Sequence, residues 1–332
     1  MVTTKPAKIQ ITKKLKDIVN AFYYYFSKNT EPASENNTVT TKPAKIQITK
    51  KLEDILNTFN KEVFNKNKKI FVETKDLGLL NELAFLLALL FGGYYVSAFY
   101  QDKKIYIEPI YLDYILRNDR YKNDPELIKS LMGTLLHENI HAILDADPEK
   151  EEVKKNIIVH EGLATLVEDL YKTIVSEYKI DTNNSLEEIL DKISKYVIEK
   201  FKDKEYLRNL EEELRKKFKE EMTKSLEEML KNYNKCIDIS YTSPEILDLG
   251  LGIKYYVLYK IPSLILQKNP GILKILEDLS SKKFPVDKYK EIILKEYKNL
   301  EGKDLIKNTL ECIRDKLDKN TPFYFELLES EL

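Results

Sequence analysis

The chain has 332 residues, and its 54 Lys and Arg residues nearly balance 55 Asp and Glu residues, which leaves a formal charge of −1. This balance gives no support for nucleic acid or an anionic membrane as the main partner. An apolar fraction of 43% is enough for a hydrophobic core, and the length exceeds that of a typical single domain.

The N-terminal region contains a duplication. Residues 2–15 (VTTKPAKIQITKKL) recur letter for letter at residues 39–52. Both copies have apolar residues at helical spacing, namely Ile11, Leu15, Ile18 and Phe22 in the first and Ile48, Leu52, Ile55 and Phe59 in the second. We therefore expect an amphipathic helix in each copy. The repeat is either a tolerated terminal extension or a pair of equivalent helices that compete for one groove.

The next region has strand and helix patterns. Residues 70–73 (IFVE) predict a short strand, and residues 77–91 predict an apolar helix. Residues 94–100 and 104–108 predict a β-hairpin. The uncharged stretch 83–98 is shorter than a membrane span and contains a Gly-Gly pair, so it favours a buried core helix over a membrane helix.

The segment 124–126 (DPE) is typical of a helix start, and the helix that follows carries residues 137–141 (HENIH). This H-E-x-x-H pattern uses two of the three histidines in the chain. Residues four apart lie on one helix face, so His137 and His141 can reach one metal ion, with Glu138 beside it. The rest of the helix is mostly apolar, which predicts that this polar stripe is buried and faces a cleft. Burial of two imidazoles and a carboxylate needs compensation, and a bound cation supplies it.

A second DPE segment at residues 147–149 predicts the start of the next helix, which carries Glu161 on its polar stripe. Zinc suits imidazole ligands better than calcium or magnesium does, and a catalytic zinc takes three protein ligands and leaves one position open. We therefore expect one Zn²⁺ held by His137, His141 and Glu161. His160 lies near the edge of the apolar face and is the alternative third ligand.

The chemistry of such a site assigns further roles. Glu138 would act as the general base toward a zinc-activated water. Glu168 and Asp145 are candidates for a second shell that holds an imidazole N–H, and each is otherwise an ordinary surface carboxylate.

The C-terminal half predicts helices. Residues 163–243 contain neither glycine nor proline, and Ser185 with Glu188 forms a capping-box pattern. Cys236 and Cys312 are far apart and lack metal-ligand spacing, so we expect buried free thiols and no disulfide.

HENIH followed by HEGLATLVED resembles the gluzincin clan of zinc metallopeptidases. In that clan the third ligand is a glutamate on the helix after H-E-x-x-H, often in an E-G-x-A run, which residues 161–164 match. The stretch from about residue 70 to residue 178 is similar to the compact minigluzincin core. In that core an edge strand binds extended substrate, and the resemblance implies this role for the strand at 104–108.

Three departures from the family pattern are visible. Thr165 stands where one variant of the family has a second-shell aspartate, and no G-x-M-E-N exopeptidase motif is present. The residue that stabilises the oxyanion cannot be placed by a motif. A later run resembles a glycine-containing helix of related peptidases, which makes Tyr241, Tyr255 and Tyr256 candidates, each with packing as the alternative role.

The predicted fold class is α+β and predominantly helical, with a zincin-like catalytic core that contains a small β-sheet or hairpin, plus a C-terminal helical region. The predicted units are an N-terminal extension at 1–66, a catalytic core at 67–179 and a helical domain at 180–332. A polar, lysine-rich start without a signal-peptide pattern predicts a cytoplasmic protein.

The predicted function is that of a zinc metallopeptidase, most simply an endopeptidase, which acts on a peptide or protein substrate. In some minigluzincins a terminal segment blocks the cleft, so the N-terminal repeat is a candidate restraint. One alternative is a non-catalytic zinc scaffold that binds through its helical C-terminal region. Another is a zincin anchored in a membrane through residues 83–98.

Overall fold

The computed structural model describes residues 41–76, 98–116, 122, 124–147, 151–238 and 245–316. Within these ranges the chain is mostly helical, with one three-stranded sheet, which confirms the predicted predominantly helical α+β class. The first repeat copy, the helix predicted at 77–91 and the apolar residues 83–97 lie outside the described residues. No helix in the described ranges is both long enough and apolar enough to cross a bilayer.

The strands are β1 (Phe71–Thr74), β2 (Ala98–Gln101) and β3 (Lys104–Ile107). The helices of the N-terminal and central parts are α1 (Thr41–Phe64), α2 (Pro109–Leu116), α3 (Glu126–Leu144), α4 (Glu151–Lys155) and α5 (Ile157–Ser176). Those of the C-terminal part are α6 (Leu186–Lys202), α7 (Lys204–Asp238), α8 (Glu245–Lys254), α9 (Ile261–Leu266), α10 (Ile272–Ser280), α11 (Val286–Asn299) and α12 (Lys303–Lys316). A π-helical stretch, Tyr255–Lys260, joins α8 to α9.

The sheet has the order β1-β3-β2, in which β1 is parallel to β3 and β2 is antiparallel to it. The predicted hairpin is confirmed for its described residues, and its two-residue turn at Asp102 and Lys103 has positive φ at both positions, as tight hairpin turns require. The predicted edge position of the strand at 104–108 is wrong, because β3 pairs with a strand on each side. Among the described strands, β2 lies at the edge next to α3.

The second repeat copy forms α1, as its apolar spacing predicts. Its apolar residues Ile48, Leu52, Ile55 and Phe59 are all buried. They belong to the same hydrophobic core as the sheet and α3, and α1 packs against α6, β1 and α3. The second copy is therefore part of the folded body.

The middle of the molecule is the pair α3 and α5, which pack along each other. The helix predicted to start at residues 147–149 is interrupted in the described part. A short α4 ends at Lys155, a turn follows at Asn156, and α5 begins at Ile157. Glu161 therefore lies in the second turn of its own helix.

The C-terminal helices pack against this pair, and the Ser185 capping box at the start of α6 is confirmed on both of its hydrogen bonds. The expectation of free thiols is wrong. Helix α12 packs on the long helix α7, and this brings Cys236 and Cys312 together as a disulfide with a Cα–Cα distance of 6.3 Å. The pairing depends on tertiary packing between distant segments, so sequence spacing carries no signal for it.

Candidate metal centre

Two imidazoles and one carboxylate meet between α3 and α5. His137 and His141 are one turn apart on α3, and their ring centroids are 5.1 Å apart. The Oε2 atom of Glu161 lies 3.2 Å from Nε2 of His137 and 3.3 Å from Nε2 of His141. All three side chains are buried. In the described part of the chain, these three residues form a group whose potential ligand atoms are close enough together to share one metal ion.

The geometry of this group fits a small tetrahedral cation. Zinc binds imidazole nitrogen and carboxylate oxygen at about 2.0 to 2.2 Å, so neighbouring ligand atoms of a tetrahedral site lie about 3.3 to 3.6 Å apart. Both distances from Glu161 to the imidazoles are close to that value. Two nitrogens and one carboxylate oxygen also form a donor set typical of zinc. The residues present therefore fit one such ion.

The electrostatics favour a positive charge among these groups. Burial acts to raise the pKa of the Glu161 carboxyl, but His141 and His137 outweigh it and hold that pKa well below its usual value. Burial likewise acts to lower the pKa of His137, but its hydrogen bonds to Glu161 and Glu168 raise that pKa well above the usual value. A group of side chains that attracts a proton in this way is also suited to bind a cation.

Glu168 supports His137 from the other side of the ring. Its Oε2 lies 3.1 Å from Nδ1 of His137, and its Oε1 lies 2.7 Å from Nζ of Lys172. Burial acts to raise the pKa of Glu168, but the hydrogen bond to His137 and the charge of Lys172 bring it down to about 2. A carboxylate on Nδ1 fixes the tautomer that leaves Nε2 available for a metal.

Asp145, the other carboxylate predicted to hold an imidazole N–H, caps the C-terminal end of α3 in the left-handed conformation. Its Oδ1 lies 3.3 Å from the hydroxyl of Tyr100 and 3.5 Å from Nζ of Lys68. These contacts tie the end of α3 to the sheet.

Glu138 lies next to the ligands, on the side of the edge strand. Its Oε2 accepts a hydrogen bond of 2.9 Å from the backbone N–H of Tyr100 in β2. Burial raises the pKa of the Glu138 carboxyl, and Glu161 adds to the increase while the imidazoles oppose it. A carboxylate with a raised pKa beside, but outside, the ligand group is suited to accept a proton.

His160, the alternative third ligand, is not part of the ligand group. Its side chain is 4% exposed, and its Nδ1 has no hydrogen-bond partner. Burial lowers the pKa of this imidazole to about 4, with a further contribution from His141. The geometry thus brings Glu161 to the imidazoles and leaves His160 neutral in the apolar surroundings of α5.

The tyrosine candidates are only partly located. Tyr241 lies outside the described residues, while Tyr255 and Tyr256 are on the π-helical stretch that packs against α5. The ring that stacks on His137 is Tyr259, with centroids 5.9 Å apart and planes 16° from parallel, and it also stacks on Tyr255. Sequence analysis missed Tyr259. The sequence signal for Tyr259 was its position four residues after the candidate Tyr255, because this spacing places both rings on one helix face.

The glycine after Glu161 has a packing reason. A Cβ atom on Gly162 would lie 2.7 Å from Cβ of Pro262 in α9, which is closer than real contacts allow. Glycine therefore permits the close approach of α9 to α5. Thr165, where one variant of the resembled family has an aspartate, has a buried hydroxyl without a hydrogen-bond partner.

No known protein family, curated protein or solved structure matches this chain.

Proposed function

We propose that the protein is a zinc-dependent peptidase, with one Zn²⁺ held by His137, His141 and Glu161 and with Glu138 as the general base. The observation that carries the proposal is the position of one Glu161 oxygen at 3.2 and 3.3 Å from the two imidazole nitrogens. A fourth ionisable group, Glu138, lies beside this cluster without belonging to it. A purely structural zinc site usually has four protein ligands and needs no base, so this arrangement favours the catalytic type.

The residues divide the chemistry among themselves. Bound zinc would supply an acidified water and polarise the scissile carbonyl. Glu138 has its Oε2 on the N–H of Tyr100, and we assign Oε1 to receive the proton and deliver it to the leaving amine. Glu168 would keep the proton of His137 on Nδ1, and His137 together with Lys172 keeps Glu168 ionised.

The substrate in this proposal is a peptide or protein segment in extended form. Because β3 is paired on both sides, the edge role passes to β2, which borders α3 and contacts Glu138 through Tyr100. An added strand of substrate would hydrogen-bond to the backbone of β2. We propose an endopeptidase, since the sequence lacks the G-x-M-E-N motif that would support an aminopeptidase.

If an N-terminal segment blocks the cleft, we propose that it is the first repeat copy. Asn139, which contacts α1, is about 200° around α3 from His137, so α1 packs behind the metal helix and away from the cleft. A restraint on the cleft would therefore come from residues 1–38. Removal of these residues, and not of α1, is the informative truncation, and a restraint predicts higher peptidase activity after it.

A cytoplasmic location stays a prediction. A disulfide such as Cys236–Cys312 is typical of oxidising compartments and of the cytosol of hyperthermophiles.

The test compares zinc content and cleavage of casein or a quenched peptide in the wild type and in Glu138→Gln. We expect the variant to keep its zinc and to lose activity by at least about 100-fold, as is usual when a general base is removed. Glu126→Gln, the same change on an exposed residue at the start of α3, is the matched control and should leave activity unchanged. Equal cleavage by wild type and Glu138→Gln would exclude the peptidase and leave the zinc-containing scaffold.

A further inference from the structure

The back of the metal helix carries a second buried polar contact. Asn139 lies between the two histidines in sequence but on the opposite face of α3. Its amide and that of Asn60 in α1 donate to each other's oxygens, at 2.9 and 2.7 Å, and both side chains are 0% exposed. The pair is neutral and satisfies itself, so it joins α1 to α3 in one register.

The groove that holds α1 lies between α3, α6 and β1, and four of its apolar contacts are the same for both repeat copies. The buried residues Ile48, Leu52, Ile55 and Phe59 correspond to the identical residues of the first copy. Lys51, which lies 2.6 Å from Asp191 of α6, has a lysine counterpart at position 14. Leu56, which is also buried, has the smaller apolar residue Val19 as its counterpart. On these contacts alone, either copy would fill the groove.

The position of Asn60 does distinguish the copies, because the first copy has Tyr23 there. A tyrosine in that register would bring a large ring into a fully buried place and remove both hydrogen bonds of Asn139. A phenol has one O–H and cannot replace a carboxamide that both donates and accepts in one plane. An unpaired buried amide is strongly disfavoured.

Two further positions act in the same direction. Phe64 is fully buried and packs edge-on against Phe59, whereas the first copy has Ser27 at this position. Glu53 accepts a hydrogen bond from the backbone N–H of Val72, whereas the first copy has Lys16, which cannot accept one.

We propose that this groove is a binding surface for the repeat sequence and that Asn60, through Asn139, allocates it to the second copy. The groove accepts an amphipathic helix that has the shared apolar spacing and a carboxamide at the position facing Asn139, and the second copy is such a helix. The first copy shares the spacing but not the carboxamide, so it is the excluded duplicate. This inference is independent of any peptidase activity.

The experiment reports which copy lies beside α6. One full-length protein carries Lys51→Cys with Asp191→Cys, and its matched counterpart carries Lys14→Cys with Asp191→Cys. The natural cysteines form a disulfide, so a short bismaleimide without reductant links only the new thiols. We expect the 51–191 link to form at least about tenfold faster than the 14–191 link, because the first copy would leave the buried amide of Asn139 unpaired.

Exchanging the discriminating residues should reverse the preference. Tyr23→Asn together with Asn60→Tyr should shift the ratio of the two links by about tenfold or more toward position 14. Tyr23→Asn alone leaves α1 intact, so it is informative even if the double exchange impairs folding, and it should raise the 14–191 link. The exchange Thr58→Ala with Ala21→Thr, at an exposed position, is the control and should change nothing. Equal links in the unexchanged proteins, or no response of the 14–191 link to Tyr23→Asn, would overturn the proposal.

Discussion

The two faces of α3 both bury polar side chains, but they solve the problem of burial in different ways. On the back, the Asn60 and Asn139 amides satisfy each other and carry no charge. On the front, two imidazoles lie against Glu161 and Glu168, with Glu138 alongside, so negative groups outnumber the positive charge that the histidines can supply. A closed neutral pair fixes structure, whereas the open charged cluster can accept a cation in addition to Lys172, which pairs with Glu168. This difference supports the function that we propose for the front face.

The largest test of this comparison removes a front-face ligand. We expect Glu161→Ala to lower zinc affinity by at least about 100-fold. A loss of about 100-fold is the upper limit for removing a residue that only hydrogen-bonds to a ligand. His160→Ala is the matched control, because His160 is adjacent in sequence but outside the ligand group. Competition with a fluorescent zinc chelator measures both. A greater loss of affinity in His160→Ala would exchange the roles of the two residues.

The second test measures how the free energy of unfolding changes at acid pH. It uses His160, whose pKa is lowered, in contrast to that of His137, which is raised. Burial lowers the pKa of His160 to about 4, whereas an unfolded histidine has a pKa of about 6.5. Between these values only the unfolded chain binds the proton, so stability falls as the pH falls. This contribution of His160 to the free energy of unfolding is at most about 3 kcal/mol; it is fully present above about pH 6.5 and is lost as the pH falls through about 4.

Urea unfolding at pH 7 and pH 4.5 in the presence of EDTA measures this effect without any contribution from metal release. We expect His160→Gln to lose less stability than the wild type over that interval. The same pH dependence in both proteins would show that His160 is protonated inside the fold.

The third test breaks the closed pair on the back. Asn60→Leu or Asn139→Leu leaves one buried amide without its partner and should each lower the free energy of unfolding by about 2 kcal/mol. The double variant Asn60→Leu/Asn139→Leu should lose less than the sum, because no unpaired amide remains. Denaturant titration of all four proteins gives the coupling. Strict additivity would mean that the two amides do not depend on each other.

The contents of the front face were predictable from sequence because its signals are local. Two histidines four apart share a helix face wherever that helix lies, and the buried apolar arc of α3 is visible as spacing. The buried face of α1 followed from the same periodicity. The second-shell contact of Glu168 was a candidate because it lies two helical turns from Glu161.

The features that were mispredicted or missed all depend on which distant segments meet. Alternating burial in β3 is the same for an edge strand and for a central strand, so the parallel neighbour β1 could not be inferred. Cys236 and Cys312 become neighbours only because α12 returns to α7. The amide pair of Asn60 with Asn139 likewise joins residues from separate helices that carry no shared motif.

The fourth test concerns the packing that brings Glu161 to the front face. Gly162→Ala would place Cβ 2.7 Å from Pro262, so we expect a loss of about 1 to 2 kcal/mol in stability despite the better helix propensity of alanine. Gly133→Ala on α3 is the control, since its Cβ would contact the Tyr171 ring at 3.4 Å. That variant should be neutral or gain up to about 1 kcal/mol. Equal thermal stabilities of the two variants would mean that α9 moves away from α5 without loss.

The smallest effect is expected at the outer end of the front-face chain of contacts. Among the described residues, Lys172 reaches the metal ligands through its ion pair with Glu168, and its side chain is 55% exposed, so solvent screens its charge. Lys172→Met should therefore lower zinc affinity by less than about threefold, whereas Glu168→Gln should lower it by about 10- to 100-fold. The lysine effect should also shrink as salt is added, because the ion pair is exposed. If the two variants lost zinc affinity equally, Glu168 would orient His137 only while Lys172 holds it. The set of residues required for zinc binding would then include an exposed lysine of α5.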